Sequence, residues 1–422
     1  MKNLNICIAG LGTVGSNVVL SLIKNTIFFK LKSNVSFNII GVSAKNKFKK
    51  RICNINNFTW CDDPFELIDI KGCDVLIELI GSENDLSHDI IKKALSKKIH
   101  VVTANKALLA KHGSLLFKIA EDNNVLLLFE AAVAGGIPII NIIKNSIFLN
   151  KINKISGILN GTTNFILTEM EYRNLNFNDC LKNAQFKGYA EADPTNDIEA
   201  IDAAHKLTLL STLCFGAKID FKNSFYTGIS NIQIDDINYA KKLGYKIKLI
   251  SQSELIEDKI ISITEPKLIK HSNSLASVNG VLNAIKIETD HLQSLFFSGE
   301  GAGGLPTASS IIADLFEIVS NKKSLSLGQS ISKLIDYKSI NSHEKESSYY
   351  LRIISKDIAG VLSKITSFLN ESDISIETIL QIPENLSNDN SIPIIILTHD
   401  IKKSLLMVAL KKIVVINIDK EK

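Results

Sequence analysis

The sequence predicts an α/β protein with three parts: an N-terminal doubly wound parallel sheet, a central α+β domain and a small C-terminal βαββαβ module. Short apolar runs alternate with amphipathic segments over residues 1–130, whereas strand-like segments predominate from 145 to 300. A polar stretch at 335–347 then precedes a final segment that alternates again. Strands that alternate with helices are typical of parallel sheets covered on both faces.

The first element is an apolar run at residues 5–9, NICIA, which predicts a buried strand. It leads into the glycine-rich turn GLGTVG at 10–15 and a predicted helix at 16–23, the order that dinucleotide binding requires. The first glycine permits the turn, the second lets the backbone approach a pyrophosphate, and the third lets the helix pack on the strand. The alternative is a glycine-rich turn without a ligand. The residues predicted to bind the cofactor here are Gly10, Gly12, Thr13, Val14 and Gly15.

The next strand, predicted at 37–42, bears on the choice of cofactor. No acidic residue follows it to bind the ribose of NAD, and the chain instead carries Lys45 and further basic residues through Arg51. A cation there can accept a 2′-phosphate, so we expect NADP to be used as well as NAD. A basic surface loop is the alternative interpretation. The remaining predicted elements of this sheet are strands at 74–80, 99–103 and 125–129 and a helix at 90–95.

Composition limits the other classes of function. The net charge is only +4 over 422 residues and the lysines are dispersed, so no nucleic-acid partner is expected. No apolar run is long enough for a membrane span, and the first strand begins too near Met1 for a secretory signal, so a cytoplasmic protein is expected. The 6 cysteines lack metal-binding spacing, which indicates reduced thiols without a metal role.

A dense cluster of charged residues occupies 188–206, ahead of an apolar run. An Asp-Pro turn lies within it, after which Thr195 or its neighbour can cap one helix that continues to residue 207. Asp202 and Lys206 then lie four residues apart on one helical face, and Glu191 can fold back toward them. A lysine held by a carboxylate, beside a second carboxylate, suits a substrate with an amine and a reducible carbonyl. The alternative is a solvated helix face with one weak ion pair.

The rest of the chain divides at its changes of pattern. Predicted strands of the central part are 151–159, 245–250, 259–264, 283–289 and 293–298, and a helix at 308–319 is expected to pack back on the first domain. In the last part we predict strands at 349–354, 374–381 and 392–398 and helices at 360–370 and 401–412. The predicted boundaries are 1–130, 131–334, a linker at 335–347, and 348–422.

Five motifs occur in one order along the chain: IAGLGTVG at 8–15, VVTANK at 101–106, FEAAVAGGIP at 129–138, GILNGTTN at 157–164, and the charged segment at 188–206. With them the chain resembles the homoserine dehydrogenases. The resemblance implies a Rossmann-like first domain and interconversion of L-homoserine and L-aspartate 4-semialdehyde with NAD or NADP, on the route to threonine and methionine. The last part resembles an ACT domain, which implies a possible threonine effector. A homodimer or homotetramer is also implied.

The resemblance assigns roles to individual residues. Lys206 stands at the position of the proton donor, Asp202 orients it, and Glu191 binds the substrate ammonium. Lys106 stands where nicotinamide and substrate meet, although a surface lysine at a helix entry is the alternative. Positioned cations and proton donors stabilise the charge that develops on the reacting oxygen. Further cofactor contacts are implied at Thr103, Lys106 and Gly303, the last in a glycine-rich return loop at 299–304.

The resemblance also implies a sodium ion bound by main-chain oxygens of a glycine-rich loop. The ligands carried over are Glu130, Val133, Gly135 and Ile137. Backbone carbonyls suit such a hard cation, and a tight loop that holds a water is the alternative.

The chain departs from the family pattern at a few positions. At 81–85 it reads GSEND, where a second glycine and a Glu-Pro pair are more usual. Ala200 stands where glycine is common, a change expected to be tolerated on a helix. Ala359 replaces the usual proline of an ACT turn, which weakens the expectation of threonine binding, and the connection at 384–390 is polar.

Two other functions remain open from sequence. One is a non-catalytic amino-acid sensor on a decayed dehydrogenase scaffold. The other is a dehydrogenase for a different amino-acid aldehyde, which shares the fold but needs another pocket.

Overall fold

The computed structural model describes residues 2–81, 85–320, 325–341, 343–381 and 391–418, which form a mixed α/β protein with a Rossmann-like N-terminal domain. Its first sheet has six parallel strands in the order β3-β2-β1-β4-β5-β6. The elements are β1 (Lys2–Ala9), α1 (Thr13–Lys24), α2 (Thr26–Ser33), β2 (Val35–Ser43), β3 (Thr59–Cys61), β4 (Val75–Glu78), α3 (Asp85–Ser96), β5 (His100–Thr103), α4 (Lys106–Asp122) and β6 (Leu127–Leu128).

Both faces of this sheet are covered, which confirms the predicted doubly wound arrangement. Apolar side chains of α3 and α4 form part of one core, and those of α1 belong to a second core on the opposite face. The strands alternate in which core their side chains enter, as Cys7 and Ile8 of β1 do. Strands buried on both faces explain the continuous apolar runs in the sequence.

The central part contains a mixed sheet in the order β12-β11-β7-β9-β10-β13, with β8 paired to β10. Helix α11 leaves this part and packs against α1 of the first domain. The elements are α5 (Ile139–Asn141), β7 (Ile152–Ile158), α6 (Gly161–Arg173), α7 (Phe177–Phe186), α8 (Thr195–Ile198), α9 (Ile201–Phe215), β8 (Phe225–Tyr226), α10 (Ile234–Lys242), β9 (Tyr245–Ile256), β10 (Lys259–Lys270), β11 (Leu282–Thr289), β12 (Ser294–Glu300) and α11 (Gly304–Ser320).

The polar stretch at 335–347 pairs with strands of both the central part and the C-terminal part. Its strand β13 (Lys338–Ser339) pairs with β10, and the amide of Lys218 donates to the carbonyl of Ile335 at 2.9 Å. Its second strand, β14 (Glu346–Ser347), pairs with β18 (Ile401–Lys402) of the last part. The side chains are mostly polar, as expected of a linker, but the backbone of β13 extends the edge of the central sheet and that of β14 forms a separate two-stranded sheet with β18.

The C-terminal part is a three-stranded antiparallel sheet in the order β15-β17-β16 with two helices. Its elements are β15 (Tyr350–Lys356), α12 (Val361–Glu371), β16 (Ile376–Gln381), β17 (Ser391–Thr398), β18 (Ile401–Lys402) and α13 (Lys403–Ile418). Up to residue 418 this is βαββα with a short extra strand, and the last strand of the predicted βαββαβ pattern is not among the described residues. The polar connection at 384–390 also lies outside them.

Two contacts fasten this C-terminal part to the central domain. Tyr350 and Arg352 of β15 both donate to Asp236 at the start of α10, at 3.0 and 2.7 Å. Within the described ranges, no helix is sufficiently long and apolar to cross a bilayer.

Candidate active site

A cavity of about 740 Å³ lies between the first domain and the central domain. Its walls come from the β5–α4 turn, the β7–α6 turn, the segment from α7 to α9, and the loop before α11. Ligands of doubly wound sheets bind at the carboxyl ends of the strands, and the β5–α4 turn is at that edge. The charged residues that line the cavity are Lys106, Lys187, Glu191, Asp193, Asp197, Asp202, Lys206 and Glu300.

Lys206 and Asp202 form a buried ion pair at the base of this cavity. Lys206 Nζ donates to Asp202 Oδ2 at 2.6 Å and to the carbonyl oxygen of Leu159 at 2.8 Å. The second carboxylate oxygen, Oδ1, lies 3.2 Å from Nζ of Lys106, whose side chain is 38% exposed. One carboxylate therefore binds two lysines, and the three residues predicted as catalytic come together.

The charges within this cluster shift one another's pKa values. Burial alone raises the pKa of the Asp202 carboxyl, but the ammonium groups of Lys206 and Lys106 outweigh it and hold that pKa below its usual range. The same carboxylate raises the pKa of Lys106 against the opposing effect of burial. At Asp197, burial and then the neighbouring Asp202 raise the pKa. The cluster at neutral pH is thus an ionised carboxylate that binds cationic Lys106, beside a second acid that ionises less readily.

The predicted single helix from residue 195 to 207 is wrong. The structure has two helices, α8 and α9, and between them Ala200 adopts the left-handed conformation with φ 66°. Ala200 therefore does not lie within a helix, as was expected, and its backbone strain arises at a position where glycine is the favoured residue. The chain at Gly228 crosses this break so closely that an added Cβ would lie 2.1 Å from the carbonyl oxygen of Ile198. The break lets α9 begin immediately before Asp202.

Glu191 lies on an exposed part of the cavity wall. Its backbone carbonyl accepts a hydrogen bond from Gln185 Nε2 at 3.1 Å, which attaches the segment to α7. Its carboxylate adds to the rise in the pKa of Lys106, after the larger effect of Asp202. The predicted substrate carboxylate thus faces the same cavity as the lysines.

The glycine turn between β1 and α1 has little room for side chains. Gly10 has φ 104°, and a Cβ there would lie 2.3 Å from the carbonyl oxygen of Leu79. A Cβ on Gly15 would lie 2.0 Å from the carbonyl oxygen of Gly10, whereas Gly12 has open space beside it. No side chain caps α1 at Gly12, so the helix N-terminus with Thr13 and Val14 is suited to a phosphate.

The return loop joins this turn to the cavity. Gly303 lines the cavity, and a Cβ on Gly304 would lie 2.2 Å from Nδ2 of Asn17 on α1. The loop therefore lies between the glycine turn and the lysine cluster, as a contact with the reactive end of a dinucleotide would require.

The basic segment after β2 is folded on itself. The guanidinium of Arg51 donates to the carbonyl oxygens of Asn46, Lys47 and Lys49 at 2.5, 3.0 and 3.0 Å. Lys45 is exposed at the end of β2, which joins the glycine turn through a 2.9 Å bond from the amide of Gly10 to the carbonyl of Ser43. Lys45 can thus face a ribose, whereas the guanidinium of Arg51 is used for hydrogen bonds within its own loop.

A buried carboxylate, Glu78, organises the end of β5. It accepts hydrogen bonds from Thr103 Oγ1 at 2.7 Å and Ser87 Oγ at 3.0 Å. Thr103 Oγ1 also accepts from the amide of Asn105 at 3.0 Å, and Asn105 caps α4, which begins at Lys106. The hydroxyl of Thr103 is therefore directed into the protein, and the whole residue is buried, so the structure does not bring Thr103 to the cavity surface as a cofactor contact. Gly81 lines the cavity, whereas the next three residues of the GSEND segment lie outside the described ranges.

The loop predicted to bind sodium packs on the return loop. The side chain of Glu130 accepts the amides of Ile140 and Asn141, both at 2.8 Å, so its carboxylate is turned away from the loop. Its own carbonyl accepts from Val133, and the hydroxyl of Ser310 donates to the carbonyl of Gly135. Ile137 likewise accepts through its carbonyl, at 2.7 Å. No group of three metal-binding side chains occurs in the part of the chain that the structure describes, so any cation here would need the remaining lone pairs of these carbonyls.

Three polar residues at the site were not singled out as site residues from sequence. Asp197 lies in the charged segment at 188–206, and its position in the sequence gave no reason to prefer it over the other acidic residues there. Glu78 is the one acidic residue within the apolar run at 74–80 after Asp74, a signal that could have found it. Asn160 lies in the GILNGTTN motif and bonds both Asp197 and Asp202.

Two family models match the chain. The model of the homoserine dehydrogenase NAD-binding domain matches residues 10–130, and the homoserine dehydrogenase model matches residues 138–316. The chain is 40% identical to the homoserine dehydrogenase of Pseudomonas aeruginosa over 405 residues, which cover 94% of this chain and 92% of that relative. It is 39% identical to that of Neisseria gonorrhoeae over 406 residues, with the same coverage of 94% and 92%.

Solved structures agree with these matches. The homoserine dehydrogenase from Thiobacillus denitrificans superposes with a TM-score of 0.91 at 35% identity and covers 98% of this chain and 95% of its own. A hyperthermophilic archaeal homoserine dehydrogenase in complex with NADPH has a TM-score of 0.66 at 26% identity, over 76% of this chain and 99% of its own. The chain belongs to the homoserine dehydrogenase family of NAD(P)-dependent oxidoreductases.

Proposed function

We propose that the protein interconverts L-homoserine and L-aspartate 4-semialdehyde by hydride transfer with NAD or NADP. The observation that carries this proposal is the shared carboxylate of Asp202, which holds Lys206 and Lys106 in a cavity beside the return loop. We place the reaction on the route to threonine and methionine, as the family resemblance implies.

The glycine turn fits a dinucleotide because Gly10 and Gly15 leave no space for side chains and Gly12 leaves space for a ligand. Gly10, Gly12, Thr13, Val14 and Gly15 would hold its pyrophosphate, and Gly303 and Lys106 would adjoin its nicotinamide. When bound, the cofactor supplies the hydride acceptor or donor for the carbinol carbon of the substrate.

The chain itself supplies the proton. A lysine ammonium has three protons, and Leu159 and Asp202 accept two of those on Lys206. The third is left for the substrate oxygen. In aldehyde reduction Lys206 donates it as the carbonyl oxygen gains electrons, and in alcohol oxidation the same nitrogen takes it back.

The remaining charges orient a zwitterionic substrate. Glu191 binds the substrate ammonium through a charge-assisted hydrogen bond, and Asp197, which lies beside Asp202, adds a second carboxylate to the cavity. Lys106 supplies positive charge close to the reacting oxygen, at the end of the cavity nearer the glycine turn.

Four finer statements belong to this proposal. NADP is used at least as well as NAD, since Lys45 is exposed at the end of β2 and no acidic residue follows that strand. A sodium ion is held by carbonyl oxygens of Glu130, Val133, Gly135 and Ile137 as a structural element. The C-terminal part is an ACT-like domain that binds threonine, and its attachment at Asp236 would carry the effect to the central domain. The enzyme works as a homodimer or homotetramer.

The experiment is a rate measurement with the purified full-length protein. Reduction of NADP and of NAD is followed with L-homoserine, and with L-serine and L-threonine as alternative amino-acid alcohols. We expect homoserine to be preferred by kcat/KM, and NADP to be used at least as well as NAD. No turnover with any substrate would favour the non-catalytic sensor, and a preference for another alcohol would favour a dehydrogenase for a different amino-acid aldehyde. A strong preference for NAD that Lys45→Ala leaves unchanged would show that the basic segment is a surface loop without a role in cofactor binding.

A further inference from the structure

The turn between β7 and α6 holds both members of the catalytic ion pair. The carbonyl oxygen of Leu159 accepts the Lys206 ammonium at 2.8 Å, and the next side chain, Asn160, donates to Asp202 Oδ2 at 3.0 Å. Asn160 is 4% exposed, so water does not compete for its amide.

Every hydrogen-bonding group of this amide has a partner. Its oxygen accepts the amide of Thr163 at 2.8 Å and so caps α6. Its nitrogen donates one proton to Asp202 and the other to Asp197 Oδ1, the latter at 2.7 Å. A flipped amide would face an N–H donor with its own nitrogen and two carboxylates with its oxygen, so only one orientation is possible.

The consequence for Asp202 is a defined rotation of its carboxylate. Oδ2 accepts from both Asn160 and Lys206, which leaves Oδ1 for Lys106 at 3.2 Å. Without the amide, the carboxylate can rotate away from Lys106 while keeping the short bond to Lys206. The amide also bridges two acids, Asp197 and Asp202, which would otherwise repel each other in a poorly solvated site.

We propose that Asn160 is a positioning residue for the dehydrogenase reaction, which fixes the Asp202 carboxylate between the two lysines and holds Asp197 beside it. The inference rests on the proposed function. It assigns Asn160 no contact with substrate or cofactor, and its effect is transmitted through Asp202.

The test separates positioning from helix capping. Serine and aspartate cap helices about as well as asparagine, so Asn160→Ser and Asn160→Asp both keep α6 capped. Ionised Asn160→Asp has no donor for the two acids, and the single hydroxyl of Asn160→Ser, on a shorter side chain, cannot donate to both. Asn176 provides a matched control, because its side chain caps α7 through the amide of Asp179 at 2.9 Å, away from the cavity. Asn176→Ser makes the same exchange without touching Asp202.

We expect kcat to fall by about 10–100-fold in both Asn160 variants, since small displacements of a catalytic group have effects of that size. The dissociation constant of NADPH should stay near that of Asn176→Ser, whereas the thermal midpoint should fall further, because Asp202 and Asp197 each lose a donor. The pH profiles should also differ. The carboxyl introduced by Asn160→Asp becomes a donor when protonated, so its kcat should recover partly toward acidic pH, whereas that of Asn160→Ser should not.

Wild-type kcat and an unchanged pH profile in both variants would overturn the inference and leave Asn160 as a helix cap. If Asn160→Ser does not fold, the pH profile of Asn160→Asp decides alone. A kcat that stays below that of wild type by the same factor at every pH would refute the positioning role. Failure of the proposed function is recognised separately, because the wild-type protein would then not turn over homoserine.

Discussion

Replacement of Lys206 by methionine removes the proposed proton donor while filling its space. Lys206 is 8% exposed, so alanine would leave a cavity, whereas the unbranched thioether of methionine has nearly the same length. Asp202 keeps Asn160 at 3.0 Å and Lys106 at 3.2 Å as partners. Loss of one of its donors should therefore lower stability by about 1–3 kcal/mol and leave a folded protein.

The expected loss in rate is larger than the loss in stability. Positioned proton transfer contributes about 10²–10⁴-fold, so kcat of Lys206→Met should fall by at least two orders of magnitude in both directions of the reaction. Each decade corresponds to about 1.36 kcal/mol of transition-state stabilisation. Steady-state rates with homoserine and with the semialdehyde measure the effect, and NADPH titration should give a nearly unchanged dissociation constant.

The matched control removes a similar ion pair elsewhere. Arg173 pairs with Glu169 four residues earlier at 3.0 Å near the end of α6, with its side chain 58% exposed. Arg173→Met should leave kcat unchanged. If Lys206→Met retained more than about a tenth of wild-type kcat, its role as acid–base group would be refuted, since that loss is below the range for proton transfer.

Three further variants test other parts of the structure. Glu191→Gln should raise KM for homoserine with a smaller change in kcat, because the amide loses the charge-assisted bond to the ammonium; an unchanged KM would remove Glu191 from the pocket. Ala200→Gly should be less destabilising than Ala203→Gly by about 1–2 kcal/mol in urea unfolding. Both changes delete a buried methyl group, but only Ala200 has a left-handed backbone conformation. Equal losses in the free energy of unfolding would argue against backbone strain at Ala200. Lys248 is buried, which lowers its pKa to about 8. The pKa of a lysine in the unfolded chain is about 10.4. Between the two pKa values the unfolded state therefore binds more protons than the folded state, and the free energy of unfolding rises with pH by up to about 1.4 kcal/mol per pH unit. Lys248→Met should lose this rise and exposed Lys259→Met should not; parallel pH curves for wild type and Lys248→Met would contradict the shift.

The parallel sheet could be predicted from sequence because its signals are local. A strand buried on both faces is an apolar run, and the glycine turn marks the passage from β1 to α1 within a few residues. Helix α6 was not predicted because it is buried on nearly all sides, including at Thr163, Asn164 and Thr168. A helix without a solvated face has no amphipathic period, and its polar residues resemble those of a loop.

In the candidate site too, contacts set by local sequence could be predicted, whereas those set by distant segments could not. The contact of Asp202 with Lys206 follows from a spacing of four residues on a helix. The break at Ala200 was not predictable from periodicity, which carries no information on the close passage of the chain at Gly228. The bonds from Asn160 and Leu159 depend on how a distant turn meets α9. Sequence therefore indicated the side chains that we propose carry the chemistry and left out those that hold them.

The distribution of charge in the cavity explains why the two ends should respond differently to substitution. Asp202 is shared by Lys106 and Lys206, so these three side chains together carry one net positive charge, which suits an oxygen that gains negative charge in the transition state. Glu191 lies on an exposed part of the cavity wall, where we expect its carboxylate to bind an ammonium that is present throughout the reaction. Interactions made equally in the ground state and the transition state affect KM, whereas those that strengthen in the transition state affect kcat. Loss of a lysine should therefore mainly lower kcat, and loss of Glu191 should mainly weaken binding.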